Sequence, residues 1–319
     1  MGWEKANHHR TLSSLKKKGE MMTNPQIVEC VPNISEGKNT EIVQRCIQSI
    51  ESVKGVKMVD FSSDPDHNRS VLTFIGPIEE VLEAAYQLTV QALNLIDLRS
   101  HSGTHPRMGA VDVIPIIPLL NITMEECIQA SDRLAKRIGE SLHVPVYLYA
   151  NSAKSENRKK LPSIRKGEFE GFDTKITCEE WKPDYGPCKK HPSAGVIAIG
   201  AREFLIAYNV YLDTIDEKIA ETIAKNIRES SGGHKYLQAK GMFISEKNMA
   251  QVSMNILDFK KLPLYRVIEL VRMEAKRFGV SIKETELIGL IPIQAVLSSF
   301  AYYAQLPSLD ASQVIEMKL

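Results

Sequence analysis

From about residue 26 onward, apolar side chains recur with the period of a strand or of a helix, and the two periods alternate in a set order. Ile27–Ile34 reads as a strand, and the segment after it places Ile42, Val43, Cys46, Ile47, Ile50 and Val53 on one face of a helix. Val56–Ser62 and Ser70–Ile75 are rich in β-branched residues and read as two more strands. They are parted by Asp64-Pro-Asp-His-Asn-Arg69, a turn composition. A long helix follows with Val81, Leu82, Ala85, Leu88, Ala92, Leu95 and Ile96 on its inner side, and Val111–Ile117 reads as a strand. Thr123 stands three residues before Glu126, the spacing of a capping box, and opens another helix before a strand at Val144–Tyr149. The series begins β-α-β-β-α-β.

Regularity lapses over residues 151–192. There Lys154, Arg158, Lys159, Lys160, Arg165 and Lys166 mingle with acidic groups, prolines and Trp181, which suits a cover or connector over the first sheet. The pattern then restarts with a strand at Phe204–Leu212 and a helix marked by Ile215, Ile219, Ile223 and Ile227. Strands at Gln238–Ile244 and Ala250–Leu257 come next, then a helix marked by Leu264, Val267, Ile268, Val271, Ala275 and Phe278. A short apolar segment, Leu287–Ile291, precedes a last helical stretch. A repeated order of elements predicts an α/β (α+β) protein of two ferredoxin-like βαββαβ subdomains packed around a substrate cleft, because one helical layer covers only one face of each sheet. The open faces are then free to enclose a ligand. The expected boundaries are a disordered tail at 1–23, an N-terminal subdomain at 24–203 and a C-terminal subdomain at 204–319. The tail is expected from its few apolar side chains around His8-His9-Arg10 and Lys16-Lys17-Lys18.

Charge narrows the function. Forty Lys and Arg against 39 Asp and Glu give a formal net charge of +1, so no overall field points to nucleic acid or an anionic membrane, and any anion selectivity must be local. No apolar run has the length of a bilayer span or the form of a secretory signal. Five cysteines with no CxxC pair suit reduced thiols in a cytoplasmic protein.

The chemistry gathers in Arg99-Ser-His-Ser-Gly-Thr-His-Pro-Arg-Met-Gly-Ala-Val-Asp-Val-Ile-Pro115, which joins a helix to a strand and carries two imidazoles, two guanidinium groups and a carboxylate. Pro106 biases His105 toward extended backbone, while Gly103 and Gly109 permit sharp turns or close approach. His105 is the candidate acid–base group; the plain alternative is a loop histidine that only hydrogen-bonds the backbone. His101 lies four residues from His105, as zinc ligands on a helix would, but Gly103 and Pro106 oppose a helix and no third ligand is evident. No metal is expected. Arg107 is read as a surface charge, an ion-pair partner of Asp112, or a bidentate clamp for a substrate carboxylate.

This loop closely resembles the signature of the formiminotransferase family. Cys30-Val-Pro-Asn-Ile-Ser-Glu-Gly37, Asp66-His-Asn-Arg-Ser-Val71, and Pro183-Asp-Tyr-Gly-Pro187 followed by Gly195 resemble further motifs of that family in its order, so that the likeness runs from about Gln26 to about Tyr303. It implies two α/β subdomains with folate between them and His105 as the catalytic residue. It also implies a substrate site drawn from Asn33, Asp64, Asp66, Asn68, Arg69, Arg107, Gly186, Pro187, Lys189, Lys190 and Gly195. An aspartate typical of the family falls at Ser62, which leaves Asp60, Asp64 or Asp66 to supply that charge.

The reaction implied is reversible transfer of a formimidoyl group between N-formimidoyl-L-glutamate and tetrahydrofolate, as in histidine degradation and one-carbon metabolism. Tetrahydrofolate is a co-substrate, and the resemblance adds a cytoplasmic homodimer with small-molecule partners. One histidine can serve in turn as base and acid, because its pKa lies near neutrality. Two other activities remain open: transfer of a formyl group from N-formylglutamate, and folate binding without catalysis.

Overall fold

In the computed structural model, which describes residues 25–318, the chain opens on a strand that a proline cuts in two. β1 (Ile27–Cys30) and β2 (Asn33–Ile34) lie between the same two neighbours, and Pro32 between them has no N–H to continue the ladder. The single strand expected at Ile27–Ile34 is therefore interrupted. The tail expected at 1–23 lies outside the described residues.

Helix α1 (Thr40–Glu51) is capped by Asn39, whose side chain accepts from the N–H groups of Glu41 and Ile42. β3 (Lys57–Asp64) and β4 (Arg69–Pro77) form a hairpin, α2 (Ile78–Leu95) returns across the sheet, and β5 (Val111–Leu120) pairs with β1. The spatial order β5-β1-β4-β3 is that of a ferredoxin-like unit. α3 (Met124–Leu142) starts on the Thr123–Glu126 capping box with both of its hydrogen bonds formed. Beyond it come β6 (Val146–Leu148), the short helices α4 (Leu161–Arg165) and α5 (Glu168–Lys175), and β7 (Ile197–Ala201). β7 inserts parallel between β5 and β6 and completes a seven-stranded sheet. Val28, Cys30, Leu72, Phe74, Ile114 and Ile116 meet the apolar sides of α1, α2 and α3 in the main core.

The other face is only partly open. Over β5, β7 and β6 it is sealed by residues 150–192, where Ile164 and Phe172 pack on Val113, Tyr147, Tyr149 and Ala198. The uncovered part lies over β3 and β4, where Asp60, Ser62 and Asp64 stand beside Thr73, Val71 and Arg69 on one face by strand alternation. An open face across the whole sheet, as the element pattern predicts, is thus restricted to one side.

The second unit comprises β8 (Ile206–Leu212), α6 (Glu217–Ile227), β9 (Leu237–Ile244), β10 (Met249–Ile256), α7 (Leu264–Lys276) and β11 (Ile282–Ile288), followed by α8 (Ile293–Tyr303). Its order, β11-β8-β10-β9, repeats that of the first unit. β11 starts earlier than the apolar segment Leu287–Ile291 suggests, since an edge strand exposes Lys283, Glu284 and Thr285 and hides its signal. The two units touch where Lys160 Nζ lies 3.7 Å from Glu229 Oε1, and where Gly289, just after β11, faces Asp60 on β3.

Candidate functional site

The site is built where two loops rest on the β3–β4 turn. Asp64 Oδ1 accepts the N–H groups of Asp66 and His67, both at 2.9 Å, which folds residues 64–67 into a tight turn. Asn68 then takes φ +50°, a left-handed conformation that asparagine tolerates, and its side chain ties three segments together. Its Oδ1 accepts from Gly37 N–H at 2.9 Å, and its Nδ2 donates to Ser102 O at 3.0 Å. Thr104 N–H donates to Asp66 O, and a Cβ on Gly103 would come within 2.3 Å of His67 O. The 99–110 loop therefore lies flat on the turn.

This stacking brings His105 to Arg69, whose Nη1 is 3.0 Å from His105 Nε2. Guanidinium groups only donate, so Nε2 accepts and the ring proton sits on Nδ1. Burial, and after it the charges of Arg69 and Arg165, push the His105 pKa down to about 3 and keep the imidazole neutral. His67 meets His105 edge to face at 6.0 Å between ring centres, and its Nδ1 lies 2.5 Å from Asp64 Oδ2. Hydrogen bonds from the His67 backbone and ring hold the Asp64 carboxyl below the usual carboxylate range. Arg69 has no carboxylate within ion-pair distance among the described residues, and its Nε is buried without a hydrogen-bond partner.

Arg107 is neither a free surface charge nor the partner of Asp112. Its Nη1 donates to Glu168 and Glu170 at 3.0 and 2.9 Å, and its Nη2 to Glu170 at 2.6 Å, so the guanidinium is engaged by the cover segment. Asp112 pairs instead with Arg165, which reaches Oδ2 through Nε at 2.7 Å and Nη2 at 2.5 Å, while Oδ1 accepts from Met108 N–H at 2.8 Å. His101 is tied on both sides: Nε2 donates to Asn68 O at 2.9 Å and Nδ1 accepts from Arg107 Nε at 3.3 Å. The free guanidinium beside His105 is that of Arg69.

Gly195 sits at the base of the same loop, between Ala194, whose O accepts from Ala110 N–H, and Val196, whose N–H donates to Met108 O. It adopts φ +71°, bridges Gly109, and leaves no room for a Cβ, which would stand 2.0 Å from Met108 O. Lys190 Nζ turns inward to Asp173 Oδ2 at 2.7 Å and Phe169 O at 3.0 Å. Gly186, Pro187 and Lys189 are exposed, and Asn33 sits in β2 opposite Val71 and Val113 with its Nδ2 on Val31 O. Asp66 is exposed on the turn. Of the sequence-derived residues, the structure thus gathers Asp64, Asn68 and Arg69 about His105 with Asp66 on the same turn, leaves Asn33 in β2, and spreads the others along the loop base and cover.

Two members were missed. His67 lies inside a quoted motif, and its signal is the i, i+3 spacing from Asp64 in a turn. Arg165 is 53 residues from Asp112, and no local pattern announces such a pair. A hollow lined by Gln129, Asp132, Arg133, Ser152 and Lys154 lies against α3, away from His105, and Tyr185 and Lys154 already occupy its Asp132. Among the described residues, no three His, Cys, Asp or Glu side chains are grouped as metal ligands.

Two ferredoxin-like units, with a neutral, arginine-bound imidazole on the loop over the β3–β4 turn, make up an α/β fold whose relatives are transferases. The chain belongs to the formiminotransferase family. Residues 27–202 match the formiminotransferase domain, N-terminal subdomain, and residues 207–317 match the formiminotransferase domain. It is 45% identical over 295 residues to a glutamate formimidoyltransferase of Streptococcus pyogenes serotype M1, covering 92% of this chain and 99% of that protein. Identity to a glutamate formimidoyltransferase of Thermoplasma acidophilum is 44%, over 92% of this chain and 97% of the relative. A formimidoyltransferase-cyclodeaminase of Rattus norvegicus is 43% identical over 87% of this chain, which spans 52% of that longer protein.

Proposed function

We infer that this protein is a glutamate formimidoyltransferase, moving a formimidoyl group reversibly between N-formimidoyl-L-glutamate and tetrahydrofolate. The observation that carries the reading is His105, a neutral imidazole on a constrained loop with an arginine at its Nε2. The attacking nitrogen must lose a proton and the leaving nitrogen must gain one; an imidazole does this best with a pKa near the working pH, and His105, held at about 3 by burial and by Arg69 instead of near neutrality, must first shed the arginine. To act as base, His105 exchanges the Arg69 hydrogen bond for the substrate's proton. Arg69 then turns to a substrate carboxylate, for which its unpartnered Nε and lack of an ion-pair partner leave it available. Asp64, whose charge bears on His105, supplies the carboxylate that favours the cationic amidine.

Folate would bind over the uncovered margin of the first sheet, bounded by the second unit near Gly289, with Lys189 at its rim and Asn33, Gly186, Pro187 and Gly195 shaping backbone around it. Arg107 would join the substrate site only by leaving Glu168 and Glu170. The boundaries 24–203 and 204–319 would separate the two halves of the site. A cytoplasmic homodimer completes the reading, supported by the exposed apolar side chains of α8, among them Ile293, Val296, Phe300 and Tyr303. No helix among the described residues is long and apolar enough to cross a membrane.

Purified protein with tetrahydrofolate and N-formimidoyl-L-glutamate tests the reading. 5-Formimidoyltetrahydrofolate is expected without added ATP, metal or reductant, at a rate a chelator does not change. A higher kcat/KM with N-formylglutamate would replace the reading with formyl transfer, and folate binding with no turnover of either donor would make the protein a binder.

A further inference from the structure

Beside His105 stands a second imidazole in a different setting. His67 Nδ1 lies 2.5 Å from Asp64 Oδ2, and the Asp64 carboxylate is itself fixed by accepting the N–H groups of Asp66 and His67. A carboxylate can only accept from the ring, so His67 carries its proton on Nδ1 and presents Nε2 outward. The side chain is half exposed, at 49%, and among the described residues Nε2 has no hydrogen-bond partner. An orienting carboxylate, a fixed tautomer and a free second nitrogen are what an acid–base histidine requires. His105, by contrast, has its Nε2 on Arg69.

Resting on the transferase reading, we propose that His67, oriented by Asp64, is a second acid–base residue of the site, working opposite His105 on the two nitrogens of the reacting carbon. Those nitrogens share one carbon and lie about 2.5 Å apart by covalent geometry. A single ring would have to swing between them, whereas two rings 6.0 Å apart can address one each. In the forward direction the folate nitrogen's lone pair forms the new N–C bond, the C=N π pair moves onto the imino nitrogen, and His105 Nε2 takes the folate nitrogen's proton. His67, as imidazolium, then gives its Nε2 proton to the glutamate nitrogen. The C–N bond breaks with its electron pair on that nitrogen, and the C=N bond re-forms. One proton has come from folate and one has gone to glutamate, so passage of a proton from His105 to His67 through solvent restores both rings. The reverse reaction exchanges their roles.

The titratable groups packed around His67 are Asp64 and Asp66 of its own turn and His105 on the loop against it, while Arg69 and Arg165 act on His105. The test compares kcat from pH 5 to 9 for wild type, His67→Ala and Asp64→Ala, with tetrahydrofolate binding measured separately. His67→Ala is expected to lose roughly 10–10²-fold in kcat, to bind folate within about twofold of wild type, and to recover rate in proportion to added imidazole. Turn-breaking alone would not be rescued by imidazole, and rate held within twofold of wild type, or loss without rescue, overturns the proposal. Nitrogen NMR of the wild-type protein reads the pair independently of turnover: in its neutral form His67 should be an Nδ1–H tautomer that loses its preference in Asp64→Ala. An Nε2–H tautomer overturns the dyad even in an active enzyme, and an inactive wild type that shows the Nδ1–H tautomer refutes the transferase reading instead.

Discussion

Asp112→Asn should loosen the site from beneath. The Asp112 and Arg165 side chains are 2% and 15% exposed, and the arginine meets Oδ2 through two nitrogens while Oδ1 holds Met108 N–H. Asparagine keeps an acceptor for Met108 but leaves Arg165 without its counter-charge in a nearly dry place. Breaking one side of such a pair costs about 3–5 kcal/mol, equivalent to roughly 6–20 °C in melting temperature for a chain of this size. Arg165→Met alone should cost a similar amount, by stranding the carboxylate. The double variant, Asp112→Asn with Arg165→Met, removes both charges and should recover at least half of either loss. Urea unfolding followed by Trp181 fluorescence in the cover segment is the assay. A single Asp112→Asn variant within about 1 kcal/mol of wild type, or a double variant no better than the worse single one, would refute the argument that this pair pins the cover and the loop.

His105→Ala should lose at least about 10²-fold in kcat with an unchanged circular dichroism spectrum, and full turnover would remove the ring from the mechanism. Because His105 titrates near pH 3 in the fold and near 6.5 when unfolded, its share of stability is complete above 6.5 and is lost as pH falls toward 3. The slope is at most about 1.4 kcal/mol per pH unit, and less because solvent reaches the half-buried ring. Arg69→Met should raise the His105 pKa, flatten that acid loss and move the acid limb of kcat/KM to higher pH; an unmoved limb would show that Arg69 does not set the charge of the ring. Gly195→Ala combines a left-handed φ with a 2.0 Å clash on Met108 O, so thermal melting should fall by about 5 °C or more. An unshifted melt would mean that the strand–loop bridge yields freely.

The sequence carries the duplicated element order well, because each helix and most strands bury one face and leave the period visible. It fails where that condition fails. β7 is five residues long and follows a stretch of lysines and prolines, and β11 lies on an edge where its outward residues are charged. The loop with His105 stands out through its glycines, proline and crowded ionisable groups, and Asn68-Arg69 is tied to it in space as the motif suggests. Partnerships are less legible. Arg107 meets Glu168 and Glu170 more than 60 residues away, and nothing local distinguishes it from Arg69 as the cation left free. Nothing in the sequence beyond its spacing from Asp64 singles out His67, because turn residues ordinarily shape backbone; its contact with Asp64 and its place beside His105 exist only in space.

The parallel insertion of β7 also sets a schedule for making the protein. On the ribosome β5 can find β1 at once, but its other edge stays unpaired until residues 121–196 have been synthesised. At about 5–20 residues per second that wait is on the order of 4–15 s. During it, an apolar strand offers itself to any neighbouring nascent chain. Pro118, which supplies no N–H and by alternation faces the same edge as Ile116, whose carbonyl accepts from Arg202 just beyond β7, removes a donor from that edge. A ring where a donor would stand helps guard the unfinished sheet against sticking to its own kind.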